Sequence, residues 1–146
     1  MDFEVVSQFE DKDIALPRRK TTESAGYDIE CAEAITIAPG EMKLVATGLK
    51  AFMNYDEYLA IHIRSSMAIK RHLMLVNSTG IIDSDYFYSD NEGHMFSKIT
   101  NDTNEEKTID IAQGEGFMQG IFVEYGITVD DDVTDVRNGG FGSTTK

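Results

Sequence analysis

The sequence predicts an all-β fold with one short helix. Turn signals made of glycine, proline, asparagine and aspartate recur along the 146-residue chain, and short runs of alternating apolar and polar residues lie between them. Short strands separated by turns at roughly 8–12-residue spacing are typical of a β-sandwich or barrel. The helix is predicted over 66–73, where Met67, Lys70 and Arg71 have helical spacing.

The predicted strands follow from these runs. In the clearest one, Leu59, Ile61 and Ile63 alternate with smaller or polar residues, and a period of two places such residues on one face of a strand. Ser65 or Ser66 is expected to cap the helix that follows, because a serine hydroxyl accepts hydrogen bonds from the free N–H groups of the first turn. The other predicted strands, in chain order, are 27–29, 35–37, 94–100, 108–111 and 117–123.

Length and composition favour one domain. A chain of 146 residues with 41% hydrophobic residues can build a core without metals or disulfides. The predicted domain covers 1–136, and the glycine-rich stretch 137–146 is expected to be a flexible C-terminal arm that closes over a site. Cys31 is the one cysteine of the sequence, which excludes an internal disulfide and fits a reducing cytoplasm; we expect it to be a buried apolar residue.

Charge and hydropathy argue against two classes of partner. The formal net charge is −13, whereas binding a DNA or RNA polymer requires a basic face. The sequence has no stretch of about 18 apolar residues that would predict a membrane span, and its acidic start does not resemble a secretory signal. We therefore expect a cytoplasmic protein that binds neither a nucleic-acid polymer nor a membrane.

Asp83 is the candidate general base. It follows Ile81 and Ile82, and partial desolvation by such neighbours tunes a carboxylate for proton transfer. Tyr86 lies shortly after it and supplies a flat ring for a heterocyclic ligand. The alternative is that Asp83 only caps a turn, a role in which aspartate is common.

Two further segments indicate anion binding. Arg64, Ser65 and Ser66 place a guanidinium and two hydroxyls at a predicted helix N-terminus, where free N–H groups attract anions. Helix capping alone is the alternative there. The strip 139–144 combines glycines, one aromatic ring and hydroxyls, so its backbone can approach phosphates closely; a flexible tail is the alternative. The three histidines lack partners at zinc-ligand spacing.

The order of these motifs resembles that of the trimeric dUTPases, the deoxyuridine triphosphate nucleotidohydrolases, which carry five ordered motifs. Ser66 stands where that family commonly has glycine and Gly116 where it usually has arginine, and Arg137 is identified as the arginine of the fifth motif. The matching segments, in chain order, are 24–29 with 37–41, 64–68, Asn77 with 80–86, 114–119 and 138–144.

The resemblance implies a distorted jelly-roll, or β-clip, barrel that assembles as a homotrimer with shared active sites. It also implies that Asp83 activates a water that attacks the α-phosphorus of dUTP, which releases dUMP and pyrophosphate. Mg²⁺ would be the cofactor, held by substrate phosphates and water with no direct protein ligand. Asp28 would lie near the metal in a structural role.

The resemblance further implies a set of substrate contacts. Tyr86 would lie against the deoxyribose and leave no room for a 2′-hydroxyl, and Phe141 would close over uracil. Uracil contacts are implied for Asn77, Gly80, Ile81, Ile82 and Met95, the last on the return strand of a hairpin. The remaining contacts, mainly to phosphates, are implied for Arg64, Ser65, Ser66, Gln119, Arg137, Gly142, Ser143 and Thr144.

Two alternatives stay open at this point. A dCTP deaminase shares the implied fold but uses a glutamate base and releases ammonia, whereas the 83–86 string and the tail with Phe141 favour dUTPase. The second alternative is a regulatory module that binds a protein partner through its acidic surface and the segment 87–93.

Overall fold

The fold is built almost entirely of short antiparallel strands. The structure is a computed structural model, and it describes residues 1–140. Its one α-helix in that range is α1 (Ser65–Arg71), and two 3-10 helices cover Ser7–Phe9 and Ser84–Tyr88. The strands are β1 (Asp2–Val5), β2 (Tyr27–Glu30), β3 (Ile35–Ile37), β4 (Met42–Ala46), β5 (Leu49–Phe52), β6 (Glu57–Ile63), β7 (Leu73–Leu75), β8 (Gly80–Asp83), β9 (Phe96–Asn101), β10 (Ile109–Ile111) and β11 (Gly116–Glu124).

These strands form four small sheets. The largest has the order β2-β11-β6-β8, and a three-stranded sheet has the order β4-β9-β7. Two further pairs, β1 with β5 and β3 with β10, complete the fold. Every pair is antiparallel, and most partners are distant in sequence. The all-β prediction with one short helix is confirmed.

The core lies between the two larger sheets. Leu59 and Ile61 of β6 pack into the same apolar cluster as Ile99 of β9 and Phe117 of β11. All four side chains are buried, so the alternation read from the sequence marks the core face of β6. Cys31 belongs to this cluster as predicted, and its burial raises the pKa of the thiol to about 11.

The helix differs from its prediction at both ends. It ends at Arg71, because His72 adopts a left-handed conformation with φ 60° and Leu73 then starts β7, where it is fully buried. The prediction of a serine cap is wrong. Arg64 occupies the capping position in an extended conformation without a side-chain cap, so Ser65 and Ser66 fall inside the first turn.

The helices of the described residues are too short or too polar to span a bilayer. Within residues 1–140, no helix has both the length and the apolar character that a membrane crossing requires, and α1 has 7 residues.

Candidate active site

A cavity of about 200 Å³ lies beside the edge strand β8. Pairing with β6 fixes this strand, with Gly80 opposite Ile61 and Asp83 opposite Tyr58. A Cβ atom on Gly80 would lie 3.0 Å from Cβ of Ile61, so glycine lets the two strands approach closely. The predicted site residues that line the cavity are Asn77, Gly80, Ile81, Ile82, Asp83, Tyr86 and Arg137.

Asp83 ends β8 and holds an ion pair across the cavity. The guanidinium of Arg137 donates from Nη2 to Oδ2 of Asp83 at 2.6 Å and from Nε to Oδ1 of Asp85 at 2.8 Å. The Arg137 side chain is only 16% exposed, whereas those of the two aspartates are 58% and 57% exposed. Arg137 was predicted to be a substrate contact, and in this structure its guanidinium bonds the two carboxylates and, from Nη1, the carbonyl oxygen of Gly139 at 3.0 Å.

Tyr86 follows in the 3-10 helix that β8 runs into. Its side chain is buried, and its hydroxyl donates to the carbonyl oxygen of His94 at 2.6 Å. The same hydroxyl accepts a hydrogen bond from Nδ2 of Asn91 at 2.8 Å. The ring therefore forms part of the cavity wall with its polar end anchored away from the ligand space.

The start of the C-terminal arm lies in the cavity of its own chain. The carbonyl oxygen of Asn138 accepts a hydrogen bond from the backbone N–H of Asp90 at 3.0 Å. Gly140 lies against the ring of Tyr86 so closely that a Cβ atom there would be 2.6 Å from Cε1. Phe141, Gly142, Ser143 and Thr144, which the sequence places in the site, lie outside the described residues.

Met95 does not occupy the position predicted for it. It precedes β9 and is buried in the core, where its backbone bonds to Leu49 and Thr47. The expected hairpin pairing is also wrong, because β8 pairs with β6 and lies at the edge of its sheet. Phe96, the next residue, lines the cavity instead. The sequence reading missed Phe96, although the predicted strand 94–100 contained it.

A second group of predicted site residues surrounds Asp28. Nε of Arg64 lies 3.5 Å from Oδ1 of Asp28, and Nζ of Lys20 lies 3.9 Å from Oδ2. Gln119 pairs with Asp28 across the β2–β11 ladder, and its amide packs on Gly26, where a Cβ atom would overlap it. Oδ2 of Asp28 is buried and has no hydrogen-bond partner in the structure. Lys20 is at ion-pair distance but too far for a hydrogen bond. We call Asp28, Arg64 and Gln119 the Asp28 cluster.

Asp83 and the Asp28 cluster lie at opposite ends of β6. Asp83 pairs with Tyr58 near the start of that strand, and Arg64 directly follows its last residue, Ile63. At about 3.3 Å per residue, the six steps from position 58 to position 64 separate the two ends by about 20 Å. One chain therefore does not bring Asp83 together with Arg64, and Ser65 and Ser66 lie beyond Arg64 in α1.

No group of three or more histidine, cysteine, aspartate or glutamate side chains among residues 1–140 is arranged to hold a metal ion.

Comparisons with known proteins agree on one family. A family model described as dUTPase matches residues 12–145. The deoxyuridine 5'-triphosphate nucleotidohydrolase of Lactococcus lactis subsp. lactis is 48% identical over 145 residues, which cover 97% of this chain and 95% of that protein. The crystal structure of dUTPase from Streptococcus mutans superposes with a TM-score of 0.79 at 39% identity, covering 88% of this chain and 98% of that one.

A more distant structure shows the same fold. A variant of the dUTPase from phage phi11 of S. aureus, described for its coordination of a structural Mg(II) ion, gives a TM-score of 0.71 at 20% identity and covers 92% of this chain and 96% of that one. The neighbours confirm the predicted jelly-roll-like fold, and the family match confirms the resemblance read from the five motifs. This chain belongs to the dUTPase family.

Proposed function

We propose that this chain hydrolyses dUTP to dUMP and pyrophosphate. Family membership supports the substrate, and the single observation that carries the chemistry is Asp83 on the wall of a nucleoside-sized cavity. Its carboxylate accepts the proton of a water as the water oxygen bonds to the α-phosphorus. The bond from that phosphorus to the bridging oxygen breaks, and pyrophosphate leaves with the electron pair.

The free edge of β8 supports uracil recognition. Among the described strands β8 pairs only with β6, so the backbone groups on its other edge are available to a ligand. A pyrimidine needs both donors and acceptors along one edge, and Asn77 adds an amide at the same cavity wall. Gly80, Ile81 and Ile82 would supply the backbone, and Tyr86 would face the deoxyribose.

The phosphates would be held by the Asp28 cluster of another copy. Arg64, Ser65, Ser66 and Gln119 carry the donors suited to phosphate oxygens, but Arg64 lies about 20 Å along β6 from the position opposite Asp83. A second copy could supply these groups where one chain does not. This separation supports the proposed homotrimer with shared sites.

An exposed apolar strip supports the same assembly. Met42 of β4 and Met74 of β7 both pair with Thr100 of β9, so the three side chains lie on one face of their sheet. Met42, Met74 and the nearby Leu44 are exposed. Contiguous apolar side chains on a sheet face are typical of a protein interface, and we propose that a second copy covers this one.

Residues 137–146 would form the arm that closes over a site. In this proposal Phe141 would stack on the uracil ring, and Ser143 and Thr144 would bind the outer phosphates. Gly142 would let the backbone approach the nucleotide closely. Arg137 supports this assignment, because it already lies in a cavity beside Asp83. Closure would exclude water from the reacting phosphate.

The residues present also fit Mg²⁺. A buried carboxylate oxygen without a hydrogen-bond partner, Oδ2 of Asp28, is a hard donor of the kind that a hydrated magnesium ion favours. Asp28 would hold the hydrated ion beside the substrate without direct ligation. When bound, Mg²⁺ supplies positive charge to the triphosphate, which a chain of net charge −13 does not provide globally.

Pyrophosphate release across nucleotides tests the proposed reaction. With Mg²⁺ present, the protein should release pyrophosphate from dUTP far faster than from dCTP, dTTP or UTP. Ammonia from dCTP would instead identify the deaminase alternative, which the family match already disfavours. Orthophosphate as the first product would contradict attack at the α-phosphorus.

Light scattering tests the proposed assembly. The expected mass is three times the 16.3 kDa chain. A monomer at micromolar concentration would contradict the shared site.

The regulatory partner stays a prediction: within segment 87–93, Phe87 packs on Phe52 and on Lys50, whereas Tyr88 is exposed.

A further inference from the structure

The turn after the Tyr86 helix is organised around the side chain of Asn91. Its Oδ1 accepts hydrogen bonds from Oγ of Ser89 at 2.8 Å and from the backbone N–H of Gly93 at 3.2 Å. Its Nδ2 donates to the hydroxyl of Tyr86 at 2.8 Å. The backbone N–H of Gly93 can only donate, so the oxygen of the amide must face it and the nitrogen must face Tyr86.

The Tyr86 hydroxyl is consequently held from both sides. It donates to the carbonyl oxygen of His94 at 2.6 Å while it accepts from Asn91. A phenol has one proton to donate, so the bond to His94 leaves its lone pairs for Asn91. Two bonds of opposite sense fix the direction of the hydroxyl and therefore the tilt of the ring, because a tyrosine ring has few rotatable bonds.

The turn also lies directly on the helix that carries Tyr86. Gly93 has φ 73°, and a Cβ atom there would lie 2.6 Å from Cα of Phe87 and 2.8 Å from the carbonyl oxygen of Tyr86. Oγ of Ser89 also lies 2.7 Å from that same carbonyl oxygen, so its one proton is shared between this oxygen and Oδ1 of Asn91. Asn91 is therefore set at a fixed distance from the ring that forms the cavity wall.

We propose that Asn91 is a positioning residue for nucleotide selection. By holding the Tyr86 hydroxyl, it keeps the ring where it excludes a 2′-hydroxyl, and so it sets the preference for dUTP over UTP. The inference rests on the proposed function, in which Tyr86 faces the sugar. Asn91 itself does not line the cavity beside β8, so its effect passes through Tyr86.

Asn91→Asp tests the hydrogen bond from Nδ2 of Asn91 to the Tyr86 hydroxyl. Aspartate keeps the oxygen that accepts from Ser89 and Gly93, and it lacks the N–H that donates to Tyr86. The expected result is a fall of roughly three- to tenfold in the ratio of kcat/KM for dUTP to that for UTP, the size of one hydrogen bond. Asn91→Leu adds no charge but lacks both the donor and the acceptor of the amide, so it should lower the ratio at least as much.

Two controls distinguish the positioning of the Tyr86 ring from a general stabilisation of the turn. Ser89→Ala removes the hydroxyl shared between Oδ1 of Asn91 and the Tyr86 carbonyl oxygen but leaves the Asn91 donor, so the dUTP/UTP ratio should stay within about twofold. In a Tyr86→Phe background the hydroxyl is absent, so Asn91→Asp should cause no further change in the ratio. Melting temperatures of all variants report whether each one remains folded.

The outcomes separate this inference from the proposed function. A wild-type protein that releases no pyrophosphate from dUTP removes the proposed function, and this inference with it. An active wild type together with parallel losses for dUTP and UTP in Asn91→Asp removes the positioning role alone. The positioning role is also overturned if Asn91→Asp lowers the ratio equally in the wild-type and Tyr86→Phe backgrounds, because the effect would then not depend on the Tyr86 hydroxyl.

Discussion

Arg137 and Asp83 form an ion pair with 2.6 Å between Nη2 and Oδ2, although 54 positions separate them in sequence. The first residue of the arm thus contacts the proposed base. A water that is to be activated by Asp83 needs the same carboxylate, so Arg137 must shift or share that oxygen when substrate binds. This pair gives the arm a direct connection to the reacting group.

Asp83→Asn should retain nucleotide binding and lose most turnover. The carboxamide is nearly isosteric but cannot accept the proton of the attacking water, and loss of a general base typically costs about 10²–10⁴-fold. Single-turnover release of pyrophosphate, with binding of a non-hydrolysable dUTP analogue, measures both effects. Asp85→Asn is the matched control, because Asp85 pairs with the same guanidinium but is not the base. Equal losses in the two variants would show that the Arg137 pairing, not proton transfer, is what Asp83 contributes.

Deletion of residues 138–146 should leave a folded protein with severely reduced turnover. The described part of this stretch contributes one backbone hydrogen bond, to Asp90, and a contact of Gly140 with Tyr86. Ordering the arm costs roughly 1–2 kcal/mol of backbone entropy per residue, so its closure depends on contacts with the nucleotide. Thermal melting and pyrophosphate release test the two halves of the prediction. Full activity of the truncated chain would show that the arm takes no part in catalysis.

Gly116→Ala should weaken nucleotide binding without unfolding the protein. A Cβ atom at this position would lie 2.6 Å from Nη1 of Arg64, so the flexible guanidinium must move away from its bond to the Gly116 carbonyl. We expect KM for dUTP to rise about tenfold or more, since a hydrogen bond to a charged group contributes about 1.5–3 kcal/mol. Gly126→Ala is the control, because nothing lies within 4 Å of its added carbon. An unchanged KM in Gly116→Ala would show that Arg64 does not bind the phosphates.

The free energy of unfolding should fall as the pH drops below about 6.5, the ordinary pKa of histidine. His94 is buried, and Nε2 accepts a hydrogen bond from the backbone N–H of Gly48 at 2.9 Å. Burial lowers the pKa of His94, against the opposing effect of Glu92. The unfolded chain therefore takes up a proton first, and stability is lost by at most about 1.4 kcal/mol per pH unit.

Urea unfolding at pH 7.5 and 5.5 measures this effect. His94→Gln is the informative variant, since its amide oxygen can still accept from Gly48 but does not titrate. It should be less sensitive to pH than the wild type over this interval. Identical pH dependence in both proteins would assign the loss to other groups.

The strands that the sequence predicts are those with internal alternation. β6 and β11 show it, and both lie inside the largest sheet. β1 and β5 were not predicted, because each gains its order from the other, more than forty positions away. Pattern alone does not report such partners, since strand stability depends on cross-strand contacts.

The site was predictable where its residues are contiguous. The segment 80–86 supplies backbone, carboxylate and ring from one strand and the helix after it, and the cavity is lined by Gly80, Ile81, Ile82, Asp83 and Tyr86 of this segment. The Arg137 contact with Asp83 was not predictable, because it joins distant segments. Asn91 lies within the segment 87–93, for which the sequence predicts no substrate contact. Its hydrogen bond to Tyr86 depends on the left-handed Gly93, and a local pattern does not show where that turn directs a side chain.

The placement of Asp83 and Arg64 at opposite ends of β6 has a genetic consequence. In the proposed trimer, a chain that lacks Asp83 still offers an intact Arg64 to its neighbour, and a chain that lacks Arg64 still offers Asp83. Two alleles that are each inactive would therefore complement one another when co-expressed, because mixed trimers would contain some complete sites. Conversely, one defective chain would impair more than the site formed by its own β8. Whether two mutant alleles complement each other would then depend on whether their mutations affect the same end of β6 or opposite ends.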